Sequence, residues 1–124
     1  MLDRYLAINR GKSFEWGVTD CFTLCIKWAD MQTGDDVMSL YQYSSAREAM
    51  DIIKQAGLSH SWELFDLHYS RASNPIAGDL VAIDTANVEN VGASGIKINS
   101  GIISVSNRGV SYINEPIIAA WRIK

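Results

Sequence analysis

The feature that most constrains the fold is a change of sequence pattern near Asn74-Pro75. Before this point apolar residues recur every three or four positions, as in helices; after it, β-branched residues and short turns dominate, as in strands. Helices followed by consecutive strands predict an α+β fold, in which a layer of helices packs on a sequential antiparallel sheet. The 124 residues are 48% hydrophobic. A single domain over residues 1–124 with one core is therefore expected.

Three helices are predicted, over residues 2–9, 21–31 and 46–56, and a shorter fourth over the segment SHSWELFDL. Asp20 is a favoured N-cap for the second helix, and Gly34 can end it. The third begins at Ser45, which forms a capping-box pattern with Glu48, and closes at Gly57. Because its apolar positions are closely spaced, the second helix is expected to be central and largely buried.

The second half of the chain predicts five strands, near residues 79–84, 91–98, 101–106, 110–113 and 117–123. Asn107-Arg108-Gly109 is typical of a tight hairpin turn between the third and fourth of them.

Charge and hydropathy exclude several kinds of partner. The net charge is −3, and lysine and arginine are not clustered, so a nucleic-acid partner is not expected. Charged residues interrupt every apolar run, so no membrane insertion is expected. The first twelve residues lack the pattern of a secretory signal, which predicts synthesis in a cytoplasm before any assembly elsewhere.

Two cysteines, Cys21 and Cys25, lie four positions apart in the predicted central helix. No third cysteine or histidine completes a zinc-binding pattern, so two free thiols are expected, with no metal and no cofactor. Cys25 is interpreted as a buried core residue. Cys21 would lie in the first turn of the helix, where unpaired amides and the helix dipole favour the thiolate. Cys21 is therefore the candidate nucleophile.

Several short motifs occur in an order that resembles a known family. They are Trp16-Gly17 and Asp20-Cys21 before an apolar helix, Gly78-Asp79-Leu80-Val81, Asn90-Val91-Gly92, and Ala120-Trp121-Arg122-Ile123. Together they resemble the NlpC-like, papain-fold cysteine peptidases, and the last is similar to a compact branch found among bacteriophage tail genes. The resemblance implies a papain-like NlpC-type core with Cys21 in the nucleophile position. It also implies a location in the virion tail and other phage tail proteins as partners.

The sequence departs from the family at the position of the catalytic general base. Where the family commonly reads His-Val-Gly, this chain has Asn90, and an amide cannot accept the proton of a thiol. The histidines present are His60 and His68, each interpreted as a partly exposed residue that would have to fold over Cys21 to act as a displaced base. Asp20 is interpreted as a helix cap rather than a reacting group. The four tryptophans are interpreted as core anchors rather than a platform for sugars.

Three functions remain open at this point. The favoured hypothesis is a tail, tail-tip or tail-assembly protein that keeps the peptidase-like fold without its chemistry. The alternative is a cysteine endopeptidase that cleaves the stem peptides of peptidoglycan during phage entry, with Cys21 attacking and His68 or His60 as base. The third is a module that binds peptidoglycan or a neighbouring tail protein in the old cleft without cutting it.

Overall fold

A computed structural model describes residues 1–84, 91–106 and 108–123. Its helical part comprises α1 (Leu2–Asn9), α2 (Cys21–Thr33) and α3 (Ala46–Gln55), with 3₁₀ helices at Val37–Leu40 and Ser61–Leu67. The three predicted α-helices are confirmed. The predicted fourth helix is the second 3₁₀ helix, whereas the first one was not predicted.

The strands are β1 (Ser70–Arg71), β2 (Leu80–Ile83), β3 (Ser94–Ile98), β4 (Gly101–Ser106), β5 (Gly109–Ile113) and β6 (Ile117–Arg122). The five predicted strands correspond to β2 to β6, and the two-residue β1 was not predicted. The strand predicted from residue 91 begins later, at Ser94. The predicted hairpin turn includes Asn107, which lies outside the described residues.

The six strands form one sheet in the order β1-β6-β2-β3-β4-β5, and every neighbouring pair is antiparallel. The fold is therefore mixed α+β, as expected, but the prediction of a purely sequential sheet is wrong. Strand β6 returns to pair with β2, with Val81 opposite Ala120, instead of following β5 at the edge. The reason is burial: β2 is buried at all four positions and needs a partner on each side.

Helix α2 is the centre of the helical layer and packs on β3 and β4. Most of its residues are buried, and Cys25, Ile26 and Ala29 are completely so, whereas Lys27 is exposed. The main core lies between this helix and the sheet, and it includes Phe65 and Trp121. Among the described residues no helix is long and apolar enough to cross a membrane.

Two helix starts follow the predicted capping chemistry. The Asp20 carboxylate accepts the Thr23 amide at 2.8 Å, and the Thr23 hydroxyl accepts the Asp20 amide at 2.9 Å, which completes a capping box. The Ser45 hydroxyl accepts the Glu48 amide at 3.1 Å, but the Glu48 carboxylate accepts the amide of Ser44 instead of that of Ser45. The second cap is therefore confirmed only in its first half.

Candidate functional site at the start of helix α2

The Asp20 carboxylate is fully engaged in holding the start of α2. One oxygen accepts the Thr23 amide, and the other accepts the Gly17 amide at 2.8 Å and the Tyr43 hydroxyl at 2.7 Å. The side chain is buried, at 2% exposure. With both oxygens occupied, Asp20 is the helix cap that the sequence indicated, and it is not placed to exchange a proton with a substrate.

A close backbone contact fixes the cover over this helix start. Gly17 has φ +77°, and a Cβ added to it would lie 1.8 Å from the carbonyl oxygen of Tyr43. Only glycine fits such an approach. The Tyr43 segment therefore lies against Gly17 while its hydroxyl is bound to Asp20, which closes one side of the site.

The Cys21 sulfur lies at the first position of α2, as predicted, and faces the chain entering strand β3. Its thiol donates to the carbonyl oxygen of Gly92, with an Sγ to O distance of 3.6 Å. The hydroxyl and backbone amide of Ser94 also lie close enough to lower the pKa of the thiol. The residue is 6% exposed. The sulfur thus has a backbone carbonyl as its acceptor rather than an imidazole.

The pKa of Cys21 moves in the direction opposite to that expected from its place at a helix start. Burial and, to a lesser extent, the negative charge of Asp20 raise the pKa of the thiol to about 11, against the smaller lowering by Ser94 and the Phe22 amide. Desolvation disfavours a buried thiolate more strongly than the first-turn amides favour it. Near neutral pH the Cys21 side chain is therefore a neutral thiol.

Cys25 lies one turn further along α2 and is completely buried. Its sulfur contacts the Ser94 hydroxyl at 3.8 Å, and burial raises its pKa well above the ordinary value. Both cysteines are free thiols, and Cys25 is a core residue, as predicted. Ser94 contacts both thiols, a connection that no sequence signal indicated.

The two histidines bind partners other than Cys21. The Nδ1 atom of His60 lies 3.1 Å from the Glu63 carboxylate, and its ring stacks on Trp62. The Nε2 atom of His68 lies 2.6 Å from the Tyr41 hydroxyl, and burial lowers the pKa of the His68 ring. In the described part of the chain, neither imidazole therefore forms a hydrogen bond with the Cys21 thiol.

His60 nevertheless packs against the backbone segment that accepts the hydrogen bond of the Cys21 thiol. A Cβ added to Gly92 would lie 3.2 Å from the His60 Cβ, so the residue whose carbonyl accepts the Cys21 thiol also packs against His60. The His60 side chain is 42% exposed. Asn90, at the family's histidine position, lies outside the described residues.

The tryptophans divide into two pairs. Trp28 and Trp121 are buried core anchors, and Trp28 donates its ring N–H to the Gly78 carbonyl at 2.9 Å. Trp16 and Trp62 are only half-buried and pack against the edge of the core. The prediction of four core anchors therefore applies fully to two of them.

A narrow apolar pocket lies beside Cys21. The space between its walls is about 420 Å³, including a part open to solvent. Five aromatic residues contribute to the walls, and these are Phe14, Trp16, Phe22, Tyr41 and Tyr43. As it stands, the pocket has room for about one water molecule.

Ser61 lines the same pocket and was not predicted as a site residue. It is 3% exposed, and its amide donates to the Val91 carbonyl at 2.8 Å. Within the part of the chain that the structure describes, its hydroxyl oxygen is buried without a hydrogen-bond partner. A serine near the start of a short helix has no sequence signal that distinguishes it from a capping or surface serine. Only the folded geometry identifies it.

These features define a mixed α+β protein with a capped, buried thiol at the start of its central helix. The family described as a domain of unknown function, DUF6950, matches residues 1–123, and the chain belongs to that family. No curated protein and no solved structure matches the chain.

Proposed function

We propose that this chain is a bacteriophage tail protein, acting in the tail, at its tip or in its assembly, with an NlpC-like, papain-type core that has lost catalysis. The observation that carries the proposal is the state of Cys21. Its thiol is buried, donates to the Gly92 carbonyl and has a pKa raised to about 11. A cysteine nucleophile needs a thiolate and a base within hydrogen-bond reach.

The peptidase-like part of the proposal is supported by the order of elements around the thiol. A cysteine opens the buried helix α2, and its sulfur faces the entry to the antiparallel strand β3. Strand β2 begins within the Gly78-Asp79-Leu80-Val81 motif. The resemblance to the compact phage branch supports the tail location, synthesis in the host cytoplasm and other tail proteins as partners.

A phage carrying Cys21→Ala tests this proposal, with Cys25→Ala as the matched control because each variant removes one buried thiol. If the domain is structural, both phages assemble tails and infect at similar efficiency, provided that both variant proteins fold. Infectivity is measured by plating efficiency and tail assembly by electron microscopy. Normal tails that fail to infect only with Cys21→Ala would contradict the structural function.

The second candidate is a cysteine endopeptidase acting on peptidoglycan stem peptides, and one pair of side chains favours it. His60 and Glu63 form an imidazole–carboxylate contact, which is the arrangement that orients a general base. His60 also packs against Gly92 on the chain beside Cys21. Release of stem-peptide fragments from purified peptidoglycan by the wild type, lost in both Cys21→Ala and His60→Ala, would establish this function.

Binding without cleavage is a separate outcome of the same preparation. Retention of the protein on intact peptidoglycan at low salt, with no fragments released, would indicate a binding module.

A further inference from the structure

We propose that the pocket beside Cys21 is a binding site for a small uncharged aromatic group that carries one hydrogen-bonding oxygen. The starting point is the Ser61 hydroxyl, which is buried in the pocket wall and has no partner among the described residues. Leaving a buried hydroxyl unpaired destabilises a fold. A sequence that retains one in a pocket is consistent with a ligand that supplies the missing hydrogen bond.

The walls define the charge of this ligand. Among the described residues of the lining, the one ionisable carboxylate is Asp20, and both of its oxygens are already bound to Thr23, Gly17 and Tyr43. Cys21 contributes a neutral thiol, and in this respect the proposal rests on the proposed function. Within the described part of the wall, no group is left to pair with a charged ligand, which would be strongly disfavoured in this apolar surrounding.

The walls also favour an aromatic ring over an aliphatic chain. Phe14 and Trp16 meet edge to face with ring centroids 5.0 Å apart, and Phe22 and Tyr41 do so at 5.4 Å. A further ring entering between such pairs gains the same edge and face contacts. A flat ring also needs the least widening of a pocket this narrow.

Entry requires one side of the pocket to move. The Tyr43 side chain is a wall of the pocket and is fixed to Asp20 by its hydroxyl. Displacing the Tyr43 side chain breaks this one hydrogen bond and leaves the Asp20 carboxylate bound to the Gly17 and Thr23 amides. A ring that enters beside Tyr43 can reach the Ser61 hydroxyl on the lining.

The probe is p-cresol, titrated into the full chain and followed by the NMR shifts of the Cys21, Ser61 and Val91 amides. Toluene is the matched ligand, since it lacks only the oxygen. We expect p-cresol to bind more tightly than toluene, and Ser61→Ala to weaken p-cresol binding about 5- to 10-fold while leaving toluene binding unchanged. Ser59→Ala, an exposed neighbour, is the control and should change neither affinity.

The stability of the ligand-free variant gives a second readout. Because Ser61→Ala removes an unpaired buried hydroxyl, its melting temperature should rise by roughly 2–5 °C. A fall would show that the hydroxyl has a structural partner and would overturn the proposal. Equal affinity of p-cresol for the wild type and Ser61→Ala, or no saturable shift with either compound, would also overturn it.

The bound ring could belong to a partner protein or to a free small molecule, and a third ligand, the peptide Gly-Tyr-Gly, distinguishes these two sources. Its tyrosine side chain corresponds to p-cresol attached through the methyl carbon. Binding of the peptide at least as tight as that of p-cresol indicates a tyrosine of a partner protein, whereas binding of p-cresol alone indicates a free small molecule. The two proposals can fail separately. If none of the three ligands binds the protein but the Cys21→Ala phage remains infectious, the pocket proposal is rejected and the proposed function stands.

Discussion

Cys21 and Cys25 lie one turn apart on the same helix, yet their surroundings differ in kind. Cys25 is enclosed by the core between α2 and the sheet and is completely buried. Cys21 is enclosed by the cover that Tyr43 forms against Gly17, by the Asp20 cap and by the Gly92 carbonyl. Cys25 is therefore protected by the core as a whole, whereas Cys21 is protected by a local contact that a single substitution can disrupt.

The comparison also shows which has the larger influence on a thiol pKa, the field at a helix start or desolvation by burial. A helix start stabilises an adjacent anion by about 0.3–1 kcal/mol, and up to about 2 kcal/mol in favourable geometries. Burial raises the pKa of both thiols, including the one at the helix start. For Cys21 the desolvation effect is therefore the larger. A cysteine at a helix start becomes reactive only if its surroundings leave it solvated or supply a base.

The largest effect is expected from Gly17→Ala, with Gly34→Ala as its matched control. Both glycines have φ near +78°, but a Cβ at Gly34 meets nothing within 4 Å, whereas at Gly17 it meets the Tyr43 carbonyl. We expect Gly34→Ala to lower the free energy of unfolding by about 1–2 kcal/mol and Gly17→Ala by about 2–5 kcal/mol, measured by urea denaturation.

The same pair of variants separates the two thiols. Since the added methyl group displaces Tyr43, Gly17→Ala should accelerate iodoacetamide alkylation of Cys21 more than that of Cys25, with each thiol followed in a chain whose other cysteine is alanine. Equal acceleration of both would mean that Tyr43 does not protect Cys21 locally.

The next largest effect is a loss of stability at alkaline pH that depends on Cys21. Its folded-state pKa is raised from 9.0 to about 11. The folded protein therefore holds the thiol proton more tightly than the unfolded chain does. The resulting stabilisation is complete below about pH 9 and is lost as pH rises through about 11, and it amounts to about 3 kcal/mol.

Urea unfolding from pH 7 to 11 measures this loss in the wild type and in Cys21→Ala. Tyr5, Tyr43 and Tyr69 also titrate at high pH with raised pKa values, so only the difference between the two proteins reports Cys21. A difference that does not change between pH 8 and 11 would contradict the buried, protonated thiol.

The smallest effect is the cost of removing each sulfur. Cys25→Ala leaves a cavity in a completely buried position, so we expect it to lower the free energy of unfolding by about 1–2 kcal/mol at pH 7. Cys21→Ala opens onto the neighbouring pocket and should cost about half as much. The reverse order would show that the Cys21 contact with Gly92 contributes more than core packing does.

Local signals predicted the helical part of this molecule well. Asp20 and Ser45 mark helix starts, because a side-chain oxygen three residues before an unpaired amide is a short-range arrangement. Gly34 ends α2 in a left-handed conformation for the same local reason. The strands β2 to β5 also follow one another as their turns indicated.

Long-range contacts could not be predicted. The return of β6 to β2 joins residues about forty positions apart, which no short pattern encodes. The pKa of Cys21 depends mainly on burial and also on Ser94, which lies far along the chain, and the placement of Ser61 in the same pocket depends on packing of its 3₁₀ helix. The sequence indicated Cys21 as the candidate nucleophile, but the burial and protonation of its thiol are properties of the tertiary structure.

The position of β6 between β1 and β2 has a consequence for how the protein is made. Residues 117–122 supply the partner for both strands, so neither pairing can form on the ribosome until this segment has been synthesised. A chain interrupted before Ile117 would leave the apolar strand β2 with a free edge, which is a template for association with other chains. Premature termination near the end of this domain should therefore produce aggregates rather than a shortened soluble protein.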